Sequence, residues 1–139
     1  MLKQDLNKTI IFDKKEALKF EGNTGPYLLY TYARAKSILR KSKSLTKKLE
    51  IKDLNEKEKS LILQLSKFPE VVERAYKNLA PNLVANYTYQ IAQDFNEFYH
   101  ANQVIGSKNE QFRLTLVESF SQVLKNALNL LAISVLEKM

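Results

Sequence analysis

The chain contains no Cys, no Trp and a single His, with only three Gly and three Pro in 139 residues. Without Cys there is no disulfide framework, no thiol nucleophile and no Cys-ligated zinc. With His100 as the only histidine, a His-rich metal site or a His pair is excluded. No stretch approaches the roughly 20 apolar residues of a membrane span. The start, Met1-Leu2-Lys3-Gln4-Asp5, lacks the apolar run of a signal peptide. There is no Gly-x-x-x-x-Gly-Lys loop to cradle a phosphate and no Gly-x-Ser-x-Gly elbow. Glu70, Glu73, Asp94 and Glu97 fall on expected helix exteriors, where carboxylates are ordinarily solvated charges. No catalytic residue, metal ligand or cofactor is therefore expected in this chain. The reading is a cytosolic, soluble, single-domain protein without a membrane partner.

What is present is charge of one sign and a helical pattern. Lys and Arg number 22 against 15 Asp and Glu, a net charge of +7. That balance points to a polyanion, nucleic acid ahead of anionic membrane, although positive charge also serves solubility alone. Abundant Leu, Ala, Lys, Glu and Gln with little Gly and Pro favour helices. The expectation is an all-α fold, a bundle of about five helices read from hydrophobic periodicity.

Pro26 suits the first turn of a helix over 26–44 that closes on Arg40, Lys41 and Lys43. Asn55 and Glu58 resemble a capping box before Leu61, Ile62 and Leu65. Pro69 starts a helix whose inner face is read as Val72, Ala75 or Tyr76, and Leu79, and Pro81 starts another. Residues 81–102 carry Val84, Tyr87, Ile91, Phe95 and Phe98 at helical spacing. Ser107 and Glu110 read as the clearest capping box, ahead of the stripe Phe112, Leu116, Phe120, Val123, Ala127 and Leu131. Thr9-Ile10-Ile11-Phe12 is the one candidate extended segment, and the Lys-rich run from Lys41 to Lys52 reads as a solvated loop or hinge. Tyr87, Tyr89, Phe95, Phe98 and Tyr99 cannot share one helix face, so some ring must look outward or bridge to a neighbour. An exposed ring beside Lys and Gln is suited to stacking an unpaired base. His100 reads as a surface imidazole near a helix end.

Glu21-Gly22-Asn23-Thr24-Gly25-Pro26-Tyr27, with Tyr30, Tyr32-Ala33-Arg34 and Ser37-Ile38-Leu39, resembles the segment that joins the catalytic and anticodon-binding domains of arginyl-tRNA synthetases. Ile11-Phe12-Asp13 and Glu16-Ala17-Leu18 fit the same stretch. Asp94-Phe95-Asn96-Glu97-Phe98-Tyr99 is similar to that family's Phe-Asn-x-x-Tyr helix. Arg113-Leu114 through Val123-Leu124, Leu128, Leu130-Leu131, Ile133 and Glu137-Lys138-Met139 resemble its C-terminal helix and ending. The blocks occur in the family's order over nearly the whole chain.

The resemblance implies an all-helical DALR-type anticodon-binding domain over 26–139, with 1–25 left from the junction to the catalytic domain. It implies arginine tRNA and the catalytic domain of the same parent chain as partners, and a monomer. The parent ligase would use ATP with Mg2+, for which this chain has no nucleotide-binding domain. Carried over residue by residue, Tyr99, Gln103 and Met139 hold anticodon bases and Asn96 shapes their pocket. Gln103 stands where some relatives carry an aromatic residue, so it either stacks or hydrogen-bonds a base edge. Arg34, Lys36, Arg40 and Lys41 are assigned to tRNA phosphates. Ala132 replaces the family's usual Gly and Leu136 its usual Pro. The competing class is a helical protein-interaction module whose basic charge is incidental.

Overall fold

A computed structural model describes residues 11, 13–19, 22–42 and 53–136. Among these, one single-turn helix, α1 (Lys14–Ala17), precedes five longer ones: α2 (Gly25–Lys41), α3 (Glu56–Ser66), α4 (Phe68–Lys77), α5 (Pro81–Ala101) and α6 (Glu110–Leu130). No strand occurs among the described residues. The all-α expectation of about five helices is met. Of the expected extended segment only Ile11 is described, exposed and not in a strand. Most of the Lys-rich run lies outside the described residues.

Each helix start has a local cause. Thr24 caps α2, its Oγ1 accepting the Tyr27 N–H, and Pro26 occupies the first turn. Asn55 and Glu58 form a complete capping box on α3. α2 ends at Lys41 instead of residue 44, because Ser42 is extended and its Oγ bonds the Leu39 carbonyl. Ser107 and Glu110 form no capping box. Helix α6 begins only at Glu110, behind a turn in which Gly106 adopts φ +80. The Glu110 carboxylate takes the Gly106 N–H, and the Ser107 hydroxyl is drawn to the Val104 carbonyl.

The long helix α5 is the hub, packing against α2, α3, α4 and α6. Its aromatic face is buried as its spacing predicts, at Val84, Tyr87, Ile91, Phe95 and Phe98. Phe95 and Phe120, both fully buried, stack with ring centroids 4.0 Å apart and join α5 to α6. The α6 stripe is wider than expected, since α6 also packs on α2. Leu114, Val117, Leu124 and Leu128 are buried with it. A smaller cluster of Ala75, Val84, Ala85, Ala127 and Leu131 closes the end where α5 begins.

The expected inner face of α4 is only partly right. Phe68, Val71 and Ala75 meet the core, while Tyr76 and Leu79 are exposed. The cause is a turn. Leu79 adopts φ 48, the Ala80 N–H reaches the Ala75 carbonyl, and the Leu79 N–H reaches that of Tyr76. That is a Schellman ending, whose left-handed position favours Gly. α6 ends the same way, with Ala132 at φ 57 and the Ile133 N–H on the Leu128 carbonyl. A side chain in that region costs roughly 1–2 kcal/mol. Ala132→Gly is therefore expected to stabilise the chain by about 1 kcal/mol, less the flexibility Gly adds to the unfolded chain. Thermal unfolding checks it.

Asp94 on α5 is the one described residue with a buried side-chain oxygen, Oδ2, that lacks a hydrogen-bond partner. Burial pushes its carboxyl above the ordinary 3.8, Glu97 adds to this, and the Gln90 hydrogen bond with Lys57 and Lys67 opposes it. A raised native value makes this group's contribution complete below pH 3.8 and lost as pH rises through the native value. Asp94→Asn should therefore gain stability over the parent chain as pH rises past that window and show no gain below it. Denaturant melts across acid pH measure this.

Candidate nucleic-acid interface

Where α2 and α5 end, the chain encloses an open cavity of about 600 Å³. Such a volume lies in the ~300–1,000 Å³ range of small-ligand sites. One wall is the α2 face bearing Arg34, Ser37, Ile38 and Lys41. The other is Tyr99 and His100 on the last turn of α5, continuing into the connection through Gln103 to Ile105. The lining contains two cationic side chains and no carboxylate.

Tyr99 is the ring that looks outward. Tyr87, Phe95 and Phe98 are buried, and Tyr89 is half-buried and packs on Tyr27 with centroids 5.7 Å apart. Tyr99 is 37% exposed and stacks on buried Phe95 at 6.5 Å, 18° from parallel. Its other neighbours are His100, edge-on at 5.9 Å, and the Arg34 guanidinium, 5.6 Å from its centroid.

Arg34 is fixed on several sides. Its Nη1 donates to Asn96 Oδ1 at 2.7 Å and its Nη2 to the Tyr30 hydroxyl at 3.0 Å, while its carbon lies 4.7 Å from the Tyr30 centroid. Asn96 in turn donates through Nδ2 to the Tyr27 hydroxyl at 2.7 Å, with Thr31 Oγ1 at 3.5 Å. Burial pushes the Tyr27 phenol above 10.0, and the Asn96 hydrogen bond works against it. Asn96 thus lies behind the cavity and orders one wall against the other.

Gln103 lines the cavity, its Nε2 donating to the Ile105 carbonyl at 3.0 Å. Gly106 leaves room for this fold-back, since a Cβ there would stand 3.3 Å from the amide nitrogen.

The sequence-expected residues therefore divide. Arg34, Lys41, Tyr99 and Gln103 meet in one cavity, with Asn96 directly behind. Lys36 and Arg40 do not line it, because on a helix they sit across from the 34/37/38/41 face. Met139 lies outside the described residues. Tyr30 and Tyr27, which complete the Arg34–Asn96 network, are not among the residues the sequence points to as the site. The spacing of Tyr30 and Arg34, one helical turn apart, was the available signal for the first. His100, read as a plain surface imidazole, stands in the cavity wall beside Tyr99.

Asn96→Ala removes the acceptor for Arg34 and the donor for Tyr27. It is expected to cost about 1–3 kcal/mol and to move the Tyr27 phenol further up. NMR titration of the Tyr27 ring reads that shift, and an unchanged value would show that Asn96 does not hold the phenol.

Residues 28–139 match the family described as DALR anticodon binding domain. The arginine–tRNA ligase of Clostridium botulinum (strain Hall) is 42% identical over an alignment of 142 positions, covering 99% of this chain. That of Clostridium beijerinckii is 41% identical over the same share. The chain spans 25% of the length of these relatives. Among solved structures, Thermus thermophilus arginyl-tRNA synthetase superposes with a TM-score of 0.92 at 35% identity, covering 99% of this chain and 25% of that one. The Plasmodium falciparum arginyl-tRNA synthetase gives 0.92 at 33%, with the same coverage. This chain belongs to the DALR anticodon-binding domain family.

Proposed function

We propose that this chain is the anticodon-binding part of an arginine–tRNA ligase, and that the cavity between α2 and the end of α5 receives unstacked bases of an arginine tRNA anticodon loop. The observation that carries this reading is Tyr99, an outward ring held by the core at the mouth of a cavity lined by cations without carboxylates. Residues 26–139 act as the binding domain and 1–25 as the junction to the catalytic domain of the same parent chain. The parent attaches arginine to tRNA with ATP and Mg2+, as a cytoplasmic monomer. Among the described residues no three His, Asp or Glu side chains gather as a metal site. No step through ATP or Mg2+ is assigned to this chain.

Arginine codons share a central G, so a C at the centre of the anticodon is the determinant common to arginine tRNAs. Tyr99 stacks the splayed base, with the Arg34 guanidinium held beside the ring by Asn96 and Tyr30. Gln103 commits its amide nitrogen to Ile105, leaving its Oε1 to accept from the base's amino group. Met139 joins this pocket on the family resemblance. Lys41 in the cavity wall takes a nearby phosphate, and Lys36 and Arg40 meet backbone on the far side of α2. Charge then sets affinity and the uncharged pocket sets choice. Anchoring the loop here holds the distant acceptor end in the parent's active site by geometry.

Titration with an arginine anticodon stem-loop and one carrying another anticodon tests this. Tyr99→Ala should lose about 1–3 kcal/mol with the arginine loop and much of the preference. Lys41→Ala should weaken both RNAs alike and flatten the salt slope by about 1. Equal losses for both RNAs in Tyr99→Ala would remove the reading role. No binding of either RNA at low salt would favour a protein-interaction module.

A further inference from the structure

Glu58 is the only charged side chain that is fully buried among the described residues. Both of its oxygens are used: Oε2 accepts the Asn55 N–H at 2.8 Å, and Oε1 accepts Nε–H of Arg113 at 2.8 Å. Arg113, on the first turn of α6 and 13% exposed in its side chain, then reaches past Glu58. Its Nη1 donates to the backbone carbonyl of Gln103 at 2.8 Å. A second tether arrives from the same cap. Asn55 Nδ2 donates to Asn102 Oδ1 at 2.6 Å, and the Asn102 amide donates onward to the Phe98 carbonyl at 2.9 Å. The connection after α5 thus hangs from α3 and α6 by two hydrogen-bonded lines, both ending at adjacent residues of the cavity wall.

Stability alone is a poor reason for this arrangement. A buried ion pair roughly cancels its own desolvation, and a well-packed apolar pair would do as well. What an apolar pair lacks is the second donor of a planar guanidinium, which here bridges a buried carboxylate and a loop carbonyl. We propose that Glu58, Arg113 and Asn55 are positioning residues that fix the height and tilt of Gln103 in the cavity, and so set which base it accepts. The inference rests on the anticodon-pocket reading above. None of the three lines the cavity, so they act through Gln103 and Asn102.

Two substitutions cut the tethers while sparing the buried charge and the cap. R113K keeps a cation beside Glu58 but has one nitrogen, which cannot serve Glu58 and the Gln103 carbonyl from two separate positions. N55S keeps a side-chain oxygen to cap α3 and loses the donor to Asn102. Each variant of the full chain is titrated with an RNA anticodon stem-loop bearing a central C and with the same RNA bearing a central U. Thermal midpoints and the amide NMR shifts of Gln103 and Val104 are recorded beside the binding constants. Expected are midpoints lowered by no more than the loss of one hydrogen bond, moved Gln103 and Val104 amides, and a C-over-U preference reduced about five-fold. A merely structural role would move the midpoint and leave the ratio alone. If both variants keep the parent ratio, the proposal is overturned, and if R113K fails to fold, N55S alone decides it. A parent chain that binds both RNAs equally overturns the pocket reading instead.

Discussion

Three rings in a column carry the site. Phe120 on α6 stacks on Phe95 of α5, and Phe95 stacks on Tyr99 one turn later, so the column runs from the fully buried core to the cavity mouth. Two of the three rings are closed in by the packing of α2, α5 and α6, and interiors at native density have little slack. Tyr99 rests on that buried pair while its own ring stays partly open to the cavity. A ring presented by a helix that four others grip is better placed to meet a flat partner than one carried on a loop. The column also makes α5 do two things at once. The same aromatic face that buries the hub helix ends, at its last turn, in a ring exposed at the cavity mouth.

The two ends of the bundle are finished differently. Where α5 begins, a small apolar cluster is bounded by the Schellman endings of α4 and α6, with Leu79 and Ala132 in left-handed backbone. Where α5 ends, polar side chains do the closing. Asn96 ties Arg34 to Tyr27, Glu58 ties Arg113 to the cap of α3, and Asn102 ties the connection to both α3 and α5. Polar networks hold one geometry when every member is satisfied, and they cost stability when one is not. Their concentration at the cavity end fits a region whose shape matters beyond packing.

Much of this was legible in the chain because it is local. Val84, Tyr87, Ile91, Phe95 and Phe98 announce α5 by period, and Asn55 with Glu58 announces α3 by spacing. Crowding of rings on one helix already required that some ring look outward or bridge to a neighbour, and Tyr99 does the first and Tyr89, against Tyr27, the second. Local signals also misled. Ser107 and Glu110 have capping-box spacing, but the left-handed Gly106 turn delays the helix to Glu110. Leu79 continues the α4 period on paper and leaves it in space, because the chain reverses there. What stayed hidden is long-range: Arg34 and Asn96 lie 62 positions apart, and Glu58 and Arg113 lie 55 apart. From the sequence, Tyr99 is assigned to a base and Arg34 to a phosphate, and nothing local shows that Arg34 donates to Asn96 and to the Tyr30 hydroxyl. Nor does a count of cations on α2 reveal that Lys41 and Lys36 face opposite sides of it.

The most direct test of the central claim is where RNA touches the protein. An isotope-labelled chain is titrated with an arginine anticodon stem-loop, and the amide and ring signals that move are mapped. Perturbations should centre on Arg34, Lys41 and Tyr99 to Ile105, with through-space contacts from the central anticodon base to the Tyr99 ring. Perturbations centred elsewhere, such as the exposed Tyr76 side of α4, with the anticodon bases still stacked in their loop, would contradict it.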